Sequence, residues 1–130
     1  MKTNKTMKSF TMRFRLLTFM LLGFCATAFA QSDYYTKKSI DYLNEAQYYL
    51  KKAESYDREV EYYNNKAASY LREAEYYTRK GDYNRAETYM KWANDAADRA
   101  MTEAKRANNG RDNARDQMRW ARDALDNAKQ

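Results

Sequence analysis

Residues 34–82 read YYTKKSIDYLNEAQYYLKKAESYDREVEYYNNKAASYLREAEYYTRKGD, and tyrosine recurs through them at a fixed interval. Tyr35, Tyr42, Tyr49, Tyr56, Tyr63, Tyr70 and Tyr77 stand seven residues apart. A seven-residue period is 3.5 residues per turn, which holds one stripe of a long helix against a partner. Small residues follow the tyrosines four places on, at Ser39, Ala46, Ala53, Val60, Ala67 and Ala74. Ring and small residue therefore share a helix face. Leu43, Leu50 and Leu71 are expected to widen that face.

Beyond Gly81-Asp82 the interval continues in a new phase, carried by Ala86, Ala93, Ala100, Ala107, Ala114, Ala121 and Ala128. Residues 90–100 and 118–128 match at seven of eleven positions, including Met90/Met118 and Trp92/Trp120. The expected companion stripe to the alanines is Tyr83, Met90, Ala97, Ala104, Arg111, Met118 and Leu125. Glycine suits the residue just past a helix C-terminus, and Asp82 can cap the helix that follows. The pattern predicts an all-α fold, a long antiparallel two-helix hairpin of coiled-coil type. One helix covers about 33–80, the turn 81–82, and the second helix about 83–129. Folding about the turn sets Tyr77 near Ala86 and Tyr70 near Ala93, large against small. Asn108-Asn109-Gly110 is the one place where the second helix could break, and a break at 108–110 would make a three-helix bundle.

The first thirty residues have a different character. Lys2, Lys5, Lys8, Arg13 and Arg15 precede an apolar run from Leu16 to Cys25, and Ala28-Phe29-Ala30 ends it before Gln31. That order is the pattern of a secretory signal peptide over 1–30, with cleavage after Ala30. The apolar run is shorter than the ~20 residues a membrane span needs, so no span is expected in the mature form. The chain is then expected to be exported, periplasmic or secreted, with residues 31–130 as one helical-hairpin domain.

Removing the leader changes the charge. The whole chain has 24 basic and 18 acidic residues, a formal +6; residues 31–130 keep 19 basic against 18 acidic, or +1. That balance argues against nucleic acid as a partner. The chain has no histidine, and its single cysteine, Cys25, lies in the leader. Imidazole acid–base chemistry, thiol nucleophiles and ordinary zinc sites are therefore excluded from 31–130. Asn108 to Asp112 lacks the alternating acidic ligands of a calcium loop. The expectation is a protein that is not an enzyme, with no catalytic residue, no cofactor and no metal site.

Around the turn, Tyr70, Ala74, Tyr77, Gly81-Asp82-Tyr83, Ala86 and Ala93 stand at spacings that resemble a single tetratricopeptide unit. The closing proline of that family is missing, with Asp98 near its place. A longer stretch, Leu71-x-x-Ala74, Gly81-Asp82-Tyr83-x-x-Ala86, Ala93, Asp95-Ala96, Ala100 and Ala104-Lys105, is similar to a family of small exported bacterial envelope proteins of unknown function. The second resemblance implies a cell-envelope location and transfers no functional residue.

What remains is a set of aromatic residues off the seam. Tyr34, Tyr48, Tyr62 and Tyr76 precede alternate heptad tyrosines, and Lys38, Lys52, Lys66 and Lys80 follow them at i+4. Two roles fit them. They can flank the seam under their lysines, by stem packing or cation–π contact. They can instead form an exposed ladder that docks a partner. Trp92 and Trp120 have the same two roles open to them, packing or exposure, and with the outer tyrosines they make the candidate interaction surface. The expected occupant is a protein partner or a second copy in a homo-oligomer, the alternative a glycan of the cell wall or a peptide.

Overall fold

The computed structural model describes the backbone from Thr3 to Gln130 and the side chains from Phe29 onward. Two helices make up the fold, α1 (Thr3–Arg79) and α2 (Tyr83–Ala128). They pack against each other as a two-helix hairpin, as the two heptad series require. α1 runs back through the leader, so residue 33 marks where the heptad pattern begins and not where the helix begins. The side chains of most of the proposed signal peptide, including Ala28, lie outside the described residues; Ala30 and Gln31 are exposed on α1.

The turn is built as its residues dictate. Gly81 has φ +78°, a region glycine enters without a Cβ penalty. The Asp82 amide donates to the Tyr77 carbonyl and the Gly81 amide to the Thr78 carbonyl, both at 3.0 Å, which is the Schellman closure of a helix end. Asp82 then caps α2. Its Oδ1 accepts from the Arg85 amide at 3.2 Å, and its Oδ2 pairs with Arg85 Nε at 3.2 Å.

The chain groups into two compact units, Tyr42–Arg119, and Met1–Asp41 with Trp120–Gln130. In the first, the buried seam is made chiefly of small residues: Ala46, Ala53 and Ala74 from α1, with Ala86, Ala93, Ala96, Ala100, Ala107, Gly110 and Ala114 from α2, beside the larger Gln117. In the second, Ser39, Ala121 and Ala124 are buried. The heptad tyrosines are only half-buried and lie along the edge of the seam. Methyl groups meeting methyl groups allow the backbones to approach closely, and the rings then cover the flank.

Two expectations are corrected here. The second inward stripe of α2 follows each alanine by three residues, buried at Ala96, Gly110, Gln117 and Ala124 and intermediate at Tyr89 and Glu103. The stripe four residues on is instead exposed at Tyr83, Met90, Ala97, Arg111, Met118 and Leu125, with Ala104 intermediate. A heptad can be completed on either side of its first position, and close approach favours the side bearing Ala96, Gly110 and Ala124. Size decided the face, and apolarity did not. Leu43, Leu50 and Leu71 likewise stay exposed and do not widen the seam.

α2 also passes through 108–110 without a break, so the three-helix alternative is not formed. Gly110 is buried there, against Ala53 of α1. Along the helices, Glu75 pairs with Arg79, and Arg119 with Asp116 at 2.8 Å. The Asp57–Arg111 ion pair crosses between the helices.

Candidate aromatic interaction surface

Each outer tyrosine is held in the same way. In the Tyr42–Arg119 unit, Tyr48, Tyr62 and Tyr76 meet Tyr49, Tyr63 and Tyr77 edge to face, with centroids 5.5, 5.2 and 5.1 Å apart. Lys52, Lys66 and Lys80 lie over the outer rings at 5.8, 5.6 and 4.8 Å from the centroids. The Tyr34–Tyr35 pair of the other unit repeats this arrangement at 5.3 Å, with Lys38 at 5.6 Å from the Tyr34 ring. The lysines cover the rings as i+4 geometry predicts, yet all four outer tyrosines remain between 48% and 58% exposed. The two readings of these residues are therefore compatible: a ring can be braced by its lysine and still present a free edge.

Bracing matters because each contact removes rotamer freedom in advance. Edge-to-face pairs contribute about 0.5–1.5 kcal/mol, and exposed cation–π contacts about 0.5–1 kcal/mol. Rungs recur every fourteen residues, about 21 Å along a helix that rises ~1.5 Å per residue. At the turn end of the ladder, the Tyr76 hydroxyl oxygen accepts a hydrogen bond from the Lys80 ammonium and raises its pKa above the ordinary lysine value. The Tyr77 hydroxyl does the same for the Arg85 guanidinium.

Trp92 takes both of the roles open to it, packed on one side and exposed on the other. It packs against Tyr70 at 5.7 Å and Tyr89 at 5.1 Å, and Tyr89 stacks on Tyr77 at 5.5 Å with 9° between planes. Tyr89 belongs to neither heptad series. Its position three residues after Ala86 was the available signal, since that spacing returns to the alanine face. Trp92 is 46% exposed and Trp120, in the other unit, 44%.

Arginines of α2 extend the surface in step with the tyrosines of α1. Arg85 lies over Tyr77, Arg99 over Tyr63 and Arg106 over Tyr56, at 5.4, 5.8 and 6.0 Å. Between the first two, Trp92 takes the same place over Tyr70. One heptad step down α1 thus matches one heptad step up α2. The sequence set alanines opposite these tyrosines and passed over the arginines, one residue earlier in each heptad.

A shallow groove of about 260 Å³ opens among Tyr63, Lys66, Tyr70, Trp92, Asp95 and Arg99. It combines aromatic walls with two cations and one carboxylate, and is just smaller than the ~300 Å³ at which small-molecule sites begin. Among the described residues no cluster of acidic, histidine or cysteine side chains could hold a metal ion, and no helix is long and apolar enough to cross a membrane. No family model, no curated protein and no solved structure matches this chain.

Proposed function

We propose that this chain is a non-catalytic helical interaction module, exported to the bacterial cell envelope, that works by helix-face docking or self-association. The observation that carries the docking is the set of braced, half-exposed tyrosines, Tyr48, Tyr62 and Tyr76, each under its lysine. Aromatic side chains with few rotatable bonds, fixed before binding, lose little entropy on contact and commonly anchor protein interfaces. The export rests on the basic leader, the apolar run after it and the Ala28-x-Ala30 ending. The absence of histidine from the chain, and of cysteine after residue 30, supports the non-catalytic part of the reading.

A photo-crosslinking amino acid at position 48, used in the producing cell and read by mass spectrometry, tests the docking. A defined partner, lost on Tyr62→Ala plus Tyr76→Ala, is expected. Crosslinks scattered over unrelated abundant proteins would refute it. Mass analysis of the accumulated protein tests the export, with a chain starting at Gln31 as the expected product.

The groove beside Trp92 favours a second reading, a ligand site that stacks a glycan or peptide against Tyr70 and Trp92 while Lys66 and Arg99 meet its polar groups. Quenching of tryptophan fluorescence by cell-wall glycan fragments, abolished by Tyr70→Ala, is the outcome expected there. Unchanged emission at millimolar fragment would remove that reading and leave the first intact.

A further inference from the structure

Among the described residues, no side chain larger than serine is fully buried. Two helices can offer one seam, and large aliphatic side chains need a second layer to leave water. The residues that lack such a layer are not scattered. Leu50 and Leu71 of α1 stand one residue past heptad tyrosines, and Met90 and Met118 of α2 stand four past heptad alanines. All four are between 40% and 55% exposed. The Asp57–Arg111 ion pair joins the same two stripes across the hairpin, so both lie on one flank. It is the flank away from the lysine-braced tyrosines. One heptad farther from the turn than this ion pair, Leu50 comes level with Met118; toward the turn, beyond Asn64 and Ala104, Leu71 comes level with Ala97 and Met90 with Thr78.

We infer that a second copy of this chain covers the flank, in a dimer whose two-fold axis runs parallel to the helices. Face-to-face pairing of identical surfaces allows a two-fold axis in two directions within the contact plane. An axis perpendicular to the helices, through the Asp57 level, lays α1 on α1 and brings Asp57 onto the partner's Asp57. Like charges then meet within the contact, a costly arrangement. An axis parallel to the helices lays α1 of one copy on α2 of the other, antiparallel, with every level facing itself. Asp57 then faces the partner's Arg111, and Leu50 faces the partner's Met118. Each helix has antiparallel neighbours on both sides, the geometry of an up-and-down four-helix bundle. The near balance of 19 basic and 18 acidic residues after position 30 leaves little net repulsion between copies.

This inference rests on the self-association part of the proposed function and makes no use of the tyrosine ladder. Sedimentation equilibrium of the protein as it accumulates in the producing cell tests it, with twice the chain mass expected at micromolar concentration. Asp57→Arg alone and Arg111→Asp alone each place like charges at the contact and should raise the dissociation constant at least about tenfold. Mixing the two variants should restore a one-to-one dimer. Each charge then finds its opposite only in the other chain, because the charges within either chain remain alike. Leu50→Gln with Met118→Gln should give a monomer that keeps its helical circular dichroism.

A wild-type protein at single-chain mass overturns the inference, and so does a mixture no more associated than its components. A dimer that survives Tyr48→Ala with Tyr62→Ala supports it even if the position-48 crosslink finds no partner, so this inference and the docking reading can fail separately. A dimer lost in that tyrosine variant and kept in Leu50→Gln with Met118→Gln would assign self-association to the ladder and overturn the flank.

Discussion

Gly110 of α2 rests directly on Ala53 of α1. A β-carbon added at position 110 would stand 3.2 Å from the Ala53 Cβ and 3.3 Å from the Tyr49 carbonyl oxygen. Two opposing effects follow for Gly110→Ala. Alanine is better than glycine inside a helix by about 1 kcal/mol. Against this, a backbone carbonyl must shift by a few tenths of an ångström to admit the methyl. The two nearly cancel, so urea unfolding should place Gly110→Ala within about 1 kcal/mol of wild type. Gly110→Leu has no such offset and should destabilise by about 1–3 kcal/mol through overpacking.

Gly81 isolates a backbone effect, because nothing lies within 4 Å of a Cβ built on it. Its φ of +78° is the only obstacle to substitution. Gly81→Ala should therefore cost about 1–2 kcal/mol in thermal or urea unfolding, and Gly81→Asn distinctly less, since asparagine tolerates the left-handed region. Equal losses for alanine and asparagine would show that a contact, and not the dihedral angle, sets the cost.

These two glycines mark how far the sequence could be read. The hairpin, its turn at 81–82 and its register within one residue were legible because period and capping chemistry are local signals. The flank was not legible, because Met90 and Ala96 both complete a heptad begun at Ala86 or Ala93, and hydropathy favours methionine. Backbone approach favours the smaller residue, and that preference appears only once two helices are set side by side. Gly110 shows the same limit: after two asparagines it resembles a helix breaker, and only the nearness of Ala53 makes it a packing residue. In the candidate surface, Tyr48, Tyr62 and Tyr76 with their i+4 lysines could be named because both partners lie on one helix. The Tyr63–Arg99 and Tyr70–Trp92 contacts join two helices and required the register to one residue.

The alanine seam gives a size test that does not depend on any partner. Ala107 and Ala114 are both 0% exposed. Enlarging either to leucine adds three heavy atoms where the helices are in contact, and should destabilise by about 1–3 kcal/mol each. Exposed Ala97, on the flank stripe, should accept leucine with a change below about 0.5 kcal/mol when measured below the concentration at which the chain associates. Equal sensitivity at 97 and 107 in urea unfolding would contradict the buried stripe described above.

Lys80 offers a pH test at the turn end of the tyrosine ladder. The hydrogen bond that its ammonium donates to the Tyr76 hydroxyl is the largest cause of its raised pKa, with the charge interaction at Tyr76 next. A pKa raised on folding means that the protonated lysine favours the folded state. Its contribution is fully present below the ordinary lysine value and is lost as the pH climbs through the raised one. Tyr76→Phe should bring the Lys80 titration, followed by NMR of the side-chain amine, back toward the ordinary value.

Ser39 carries the last test, because its hydroxyl is buried with no hydrogen-bond partner among the described residues. A buried hydroxyl without a partner costs about 1–3 kcal/mol. Serine is also a weaker helix former than alanine, which occupies the equivalent heptad place at Ala46, Ala53 and Ala74. Both terms have the same sign, so Ser39→Ala should stabilise the chain by about 1 kcal/mol or more in urea unfolding. Ser39→Val removes the hydroxyl as well but adds a methyl group to a packed seam, and should return part of that gain. A Ser39→Ala variant less stable than wild type would mean that the hydroxyl is satisfied in solution, by water or by a partner chain.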